Sequence, residues 1–339
     1  NLKLMKRIVS ILFLAILFSC AGENAKGVDK HQKNRDNIVD ISSEIVAADV
    51  DDLFVGYGSF VILGEYLIYA NPKSFDGLVH VLNKNNFEYI GGGVQKGRGP
   101  GEVINLGRLF VDEPNRRFFL ADHSKNKIFE YDVDKFLADP VRYLPKEKAD
   151  ISGVKMMTTY QYVDDTLCFG TIIESIGSND FISLFGRWNM LTGEFSHEQR
   201  ETRGRQKRRT AGYASVENGI IVEAFQRDDL LTISNLEGET KYNIIGPKWG
   251  DDNQTIFYSK VAVYGDRIIV GYSGMQHGDN GAYQPKYLVI FDLKGNYIRT
   301  LDVGLLINEY CIDKENNRVV LSVDDAEMQI VYFDLDLIK

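Results

Sequence analysis

Short apolar runs separated by tight polar turns recur along this chain at a nearly constant spacing. Gly64-Glu65 leads into Tyr66-Leu67-Ile68-Tyr69-Ala70, and Asn115-Arg116-Arg117 into Phe118-Phe119-Leu120-Ala121-Asp122. The later copies begin at Asp164-Asp165-Thr166, Glu217-Asn218-Gly219, Gly265-Asp266-Arg267 and Asn316-Asn317-Arg318. Aligning Leu67, Phe118, Leu167, Ile220, Ile268 and Val319 gives intervals of 51, 49, 53, 48 and 51 residues. A strand-built repeat with a period near 50 predicts a β-propeller, here six-bladed and all-β.

The strands inside a repeat are short runs rich in Phe, Val, Ile and Tyr, bounded by Gly, Pro, Asn and Asp. The second repeat predicts strands at Leu109-Phe110-Val111, Phe118-Phe119-Leu120, Ile128-Phe129-Glu130-Tyr131 and Val141-Arg142-Tyr143-Leu144. The third strands end alike, at Asp132, Asp292 and Asp334. Those carboxylates are expected to accept backbone N–H groups of the following turn. One short helical turn or two is expected near Asp134–Ala138. The last repeat reaches Lys339 with three strands, so a run between Ile38 and Val46 is expected to supply the fourth and close the ring, leaving no open edge.

Composition changes the picture at the N-terminus. Lys6-Arg7 precede an apolar stretch from Ile8 to Phe18, broken by Ser10, and Leu17-Phe18-Ser19-Cys20 follow. The stretch suits a signal-peptide core and is short for a membrane span. Its end resembles the lipobox of bacterial lipoproteins. That resemblance implies a signal peptide over 1–19, acylation of Cys20, and, with Ala21 next, sorting to the outer membrane. Residues 20–37 are polar and read as a flexible tether, leaving 38–339 as one propeller domain. The net charge of −9 argues against nucleic acid as a partner. Cys168 and Cys311 fall in opposed blades and are expected to remain unpaired.

Residues 97–132 carry a further likeness. Gly97-Arg98-Gly99-Pro100-Gly101-Glu102, then Phe118 to Asp122, then Asn126-Lys127-Ile128-Phe129-Glu130-Tyr131-Asp132, resembles the NHL-type propeller repeat. The six repeats with a lipobox resemble TolB-like six-bladed propeller lipoproteins. The likeness implies the fold; propellers host too many activities for it to imply a function.

Candidate chemistry concentrates in loops. Those joining second to third strands, and blade to blade, are long; the others are mostly tight. Binding residues gather on long loops held by a rigid scaffold, so a ligand or protein partner, glycan or peptide, is expected on the long-loop face. The candidates there are Arg98, His123, Trp249, His277, Asp279 and Tyr283, with Arg203, Arg205, Lys207 and Arg208 from a basic run at 200–209. No catalytic set, metal or cofactor is expected, since zinc-type Cys/His spacing and a serine elbow are absent. The alternative is a metal-assisted lyase or lactonase-type enzyme using His123 or His277 near the channel mouth.

Overall fold

The structure is a computed structural model, and it describes residues 27–50, 58–153, 156–178, 181–197, 209–250, 254–325 and 329–339. Three short strands come first: β1 (Val28–His31), β2 (Ile38–Asp40) and β3 (Val46–Ala47). Blade 1 holds β4 (Ser59–Leu63), β5 (Tyr66–Ala70), β6 (Val79–Asn83) and β7 (Tyr89–Gly93). Blade 2 holds β8 (Leu106–Asp112), β9 (Arg117–Asp122), β10 (Lys127–Asp132) and β11 (Lys146–Asp150). Blade 3 holds β12 (Met157–Tyr162), β13 (Cys168–Ser175), β14 (Phe181–Trp188) and β15 (Phe195–Ser196). Blade 4 holds β16 (Thr210–Ser215), β17 (Ile220–Phe225), β18 (Leu230–Asn235) and β19 (Thr240–Ile245). Blade 5 holds β20 (Thr255–Tyr264), β21 (Arg267–Gln276), β22 (Tyr287–Asp292) and β23 (Tyr297–Asp302). Blade 6 holds β24 (Ile307–Asp313), β25 (Arg318–Val323) and β26 (Ile330–Asp334). The chain is a six-bladed β-propeller, with β24 of the last blade packed back against β4 of the first.

β3 supplies the missing fourth strand of blade 6, pairing antiparallel with β26. The rest of the N-terminal segment departs from expectation. Val28–His31, inside the stretch read as a tether, pairs in parallel with the outer strand of blade 4. Ile38–Asp40 adds likewise to blade 5. Outer strands leave a row of backbone groups open to pairing, and this segment occupies them as a strap across blades 4, 5 and 6. Arg35 pins it: its guanidinium lies 3.0 Å from buried Asp229 of blade 4 and between the rings of Tyr258 and Phe291 of blade 5.

Hydrophobic packing runs between blades. Phe118 of blade 2 joins Ile68 of blade 1, Ile268 of blade 5 joins Ile220 of blade 4, and Val319 of blade 6 joins Ile269 of blade 5. In blade 3 the residue packed toward the preceding blade is Cys168, beside Phe119 of blade 2, and in blade 4 it is Ile221, beside Phe169 of blade 3. The equivalent positions there lie one residue beyond Leu167 and Ile220. Alternate residues of a strand face opposite blades, so a one-residue shift exchanges the two interfaces. Both cysteines are free.

The tight turns follow chain chemistry. Gly64 and Gly265 take left-handed φ of 57° and 55°, and Arg116 and Asn317 hold 52° and 49° at the matching places in blades 2 and 6. At Gly265 no atom crowds the site of a Cβ, so the backbone conformation alone favours glycine. The strand-terminal aspartates behave as expected: Asp292 accepts from the Lys294 N–H at 2.9 Å, and Asp334 from that of Asp336 at 2.8 Å. Asp132 caps a six-residue helix, Val133–Ala138, by accepting from Lys135 N. That helix displaces the fourth strand of blade 2 to Lys146–Asp150; Val141–Leu144, expected to be that strand, is a turn with both apolar ends exposed. Phe136 is the reason the helix holds, packing edge-on against Phe118 at 5.5 Å and Tyr131 at 5.9 Å.

Candidate functional site

Each inner strand starts on the face that carries the second-to-third loops, so those loops and the first residues of β4, β8 and β12 surround one mouth of the central channel. A cavity of about 230 Å³ opens there. Ser59 of blade 1, Arg108 and His123 of blade 2 and Thr158 of blade 3 line it, with backbone at Gly58 and Gly107. The opposite face is mostly tight turns, the helix Val133–Ala138 being the exception.

His123 is held in place by its neighbour. Asp122 is fully buried and accepts from four backbone N–H groups: Ile104 at 2.8 Å, Asn105 at 3.2 Å, Ser124 at 3.0 Å and Lys125 at 3.2 Å. It ties the loop after β9 to the chain entering β8. The His123 ring then lies over Gly107, where a Cβ would come within 2.7 Å of Nε2. Burial lowers the His123 pKa, opposed by Asp122, and keeps the imidazole neutral near pH 7.

Below the cavity the channel is crossed by charge. Glu309 of β24, only 5% exposed, is bonded by Arg108 of β8 and Lys260 of β20. Burial by itself would raise its pKa; Lys260 and Arg108 outweigh that and hold the carboxyl below its ordinary value. The three groups occupy one repeat position. Leu109, Val261 and Tyr310 pair with Leu120, Val270 and Leu321 in their respective hairpins, and the ionic residue precedes each. Sequence reasoning passed over this cluster, although superposing the first strands of the repeats would have shown an ionisable residue recurring at one inner-strand position.

The other sequence candidates are dispersed. Arg98 is exposed, on a shelf of about 470 Å³ with Lys125, Lys127, Phe129 and Glu147. The glycine-rich loop beside it already holds an anion, its own Glu102, which accepts from Gly99 N at 2.6 Å. Lys125 is directed to that loop's carbonyls, at 3.1 Å from Gly99 O and 2.7 Å from Glu102 O. His277 and Tyr283 are together, sharing a 2.8 Å hydrogen bond, and Arg227 donates to the same hydroxyl at 3.1 Å. Asp279 accepts from Gln276 N at 3.0 Å and so closes its own loop. Trp249 packs on Phe225, Leu230 and Ile245 and covers blade 4. Cys20, Arg203, Arg205, Lys207 and Arg208 lie outside the described residues. Among the described residues no three His, Cys, Asp or Glu side chains converge as a metal-binding set.

Comparison with known proteins agrees on architecture. A family model described as a 6-bladed beta-propeller, DUF5128, matches residues 79–174. No curated protein matches the chain in sequence. Among solved structures, a DUF4221 family member from Bacteroides vulgatus is similar, with a TM-score of 0.63 at 10% identity over 86% of this chain and 96% of that one. A protein of unknown function from Bacteroides thetaiotaomicron gives 0.54 at 12% identity over 86% and 75%. A protein described as exported, from Bacteroides fragilis, gives 0.51 at 13% identity over 91% and 98%. At such identities the likeness is one of fold, and the fold is the six-bladed propeller.

Proposed function

We propose that this chain is a lipid-anchored envelope propeller of the TolB-like and NHL-like kind that binds a ligand or protein partner on its long-loop face. The observation that supports this reading is the channel-mouth cavity, where three blades converge on Arg108, His123, Ser59 and Thr158. Concave sites with a few convergent polar groups on a rigid scaffold are the usual form of a binding site. The apolar stretch Ile8–Phe18 followed by Ser19-Cys20 supports export and acylation, and a protein of similar fold described as exported agrees with export. The metal-assisted alternative lacks a donor set among the described residues.

Two measurements test the two halves. Expressed with its leader in a Gram-negative host, the chain is expected in the membrane fraction, and Cys20→Ser is expected to move it to the soluble fraction; an unmoved variant refutes acylation. Glycan and peptide arrays, followed by hydrogen exchange with any ligand found, are expected to show protection in 71–78, 104–107 and 123–126. Protection confined to the tight-turn face refutes the site.

A further inference from the structure

The place where the chain enters the strap bears on how the propeller meets a membrane. β1 runs parallel to β19, the outer strand of blade 4, with Val28 opposite Tyr242 and His31 opposite Ile245. β19 begins just after the tight turn at 235–239, so the chain arrives at the tight-turn end of that strand. Gly27 is packed there against Thr240, so closely that a Cβ would come within 2.5 Å of its methyl carbon. Lys30 donates to Lys294 O of blade 5 at 2.6 Å, and Asn243 of blade 4 donates to the Asp29 carboxylate at 2.9 Å. The entry point is therefore held by two blades. Gly27 comes seven residues after Cys20, a reach of at most about 25 Å. β13 of blade 3 rises from Cys168 at the tight-turn end to Ser175, eight residues or about 23 Å, and its loop goes further. A bilayer on the long-loop face would demand a fully stretched tether laid along a blade, whereas one on the tight-turn face demands none.

A second observation falls at the same place. The tight turns of blades 3 and 4 expose Val163, Leu191 and Val216, at 37%, 63% and 43%, and Val28 at the strap's entry is 61% exposed. Among the described residues the tight turns of blades 1, 5 and 6 expose no large apolar side chain. Apolarity alone does not choose the face, because Phe75 and Ile176 are exposed on the long loops; the length and entry point of the tether do. We propose that, given the acylation of Cys20 on which this rests, the tight-turn side of blades 3 and 4 lies on the bilayer surface with Leu191 and Val216 against lipid. The long-loop face and its cavity are then turned to the aqueous side, open to a partner. The acyl chains supply the affinity and the apolar turns the orientation. Asp164, Glu194, Glu217 and Glu237 are exposed in the turns of these two blades, so the contact suits a zwitterionic lipid and is weakened by an anionic one.

The test is fluorescence quenching on vesicles of phosphatidylcholine brominated in its acyl chains. The full chain is purified with its own acyl groups and reconstituted; in parallel, the chain from Cys20 onward, in a Cys311→Ser background, is tethered through Cys20 to a maleimide lipid. Leu191→Trp and Val216→Trp are expected to lose the fluorescence they add to the parent, and Phe75→Trp and Ile176→Trp to keep it. All four positions are exposed, and matching melting temperatures check that each variant folds; if one of a pair does not, the other decides. Replacing part of the lipid with phosphatidylglycerol is expected to reduce the quenching at Leu191→Trp. Quenching at Phe75→Trp and Ile176→Trp instead, equal quenching at all four, or none at any overturns the proposal. Sedimentation of the Cys20→Ser chain is expected to show a monomer; a dimer dissociated by Leu191→Glu would assign these turns to a second copy and also overturn it. A chain that the host does not acylate, yet that gives the expected pattern on the maleimide lipid, refutes the anchoring reading and keeps the orientation. An acylated chain with the reverse pattern does the opposite.

Discussion

Arg35→Ala is the sharpest test of the N-terminal strap. The Arg35 and Asp229 side chains are 8% and 1% exposed and meet at 3.0 Å. Asp229 also accepts from Tyr258 OH at 2.6 Å and Lys248 N at 3.1 Å. Burial, with Asp229 beside it, holds the Tyr258 hydroxyl far above its ordinary range, so it remains a donor. Removing one partner of a buried ion pair costs about 3–5 kcal/mol, because the other charge stays buried. With two donors left on Asp229 the lower end applies, about 3 kcal/mol. Two readouts follow. The urea midpoint should fall, and amide exchange should accelerate at Gln32, which donates to Ile245 O, and at Thr300, which donates to Asn37 O. Asp229→Asn in the Arg35→Ala background should recover part of the loss. If Arg35→Ala shifts stability by less than about 0.5 kcal/mol, the range of ordinary surface changes, and both amides keep their protection, Arg35 does not pin the strap.

Glu309 should shape the acid limb of stability. Lys260 and Arg108 hold its folded pKa below the ordinary carboxylate value, so its contribution is present above that ordinary value and is lost as pH falls through the lower folded one. Glu309→Gln is therefore expected to flatten the decline in melting temperature below about pH 4.5, and an unchanged slope would count against the cluster. Phe118→Ala removes a fully buried ring that stacks on Tyr131 at 4.7 Å, and chemical denaturation should show a loss of about 3–5 kcal/mol. Burial pushes the Cys168 thiol up to about 12 and raises that of Cys311 as well. Cys168 is buried and Cys311 only partly so. In a background with Cys20→Ser and Cys311→Ser a thiol reagent should not react with Cys168 until the chain unfolds, and rapid labelling of the native protein would contradict the packing.

The repeat was legible because each blade must bury the same alternating positions against its neighbours, and a period near 50 exposes that requirement six times over. Strand order, the aspartate turns, ring closure near Val46 and the separation of Cys168 from Cys311 all follow from it. Where local and tertiary preferences compete, the pattern alone misplaces residues. Val141–Leu144 has strand-like composition, yet Phe136 finds a better-packed place as a helix and pushes the strand to Lys146–Asp150. Leu167 and Ile220 match the repeat in sequence, but Cys168 and Ile221 take the interface because the intervening turns shift the pleat by one residue.

The site divides in the same way. His123 could be picked out as a loop histidine on the elaborated face; that it lines a cavity, neutral and braced by Asp122, required the chain around it. Arg108, Lys260 and Glu309 lie far apart in sequence, and each alone looks like an ordinary charge on a strand. By itself the sequence determines the propeller and the face that varies, since burial periodicity is written into every repeat. Only the tertiary structure decides that blades 2, 5 and 6 bring two cations to one buried carboxylate at the channel, and that a polar segment becomes a strap through Arg35. Both depend on distances across the ring, which no local pattern encodes.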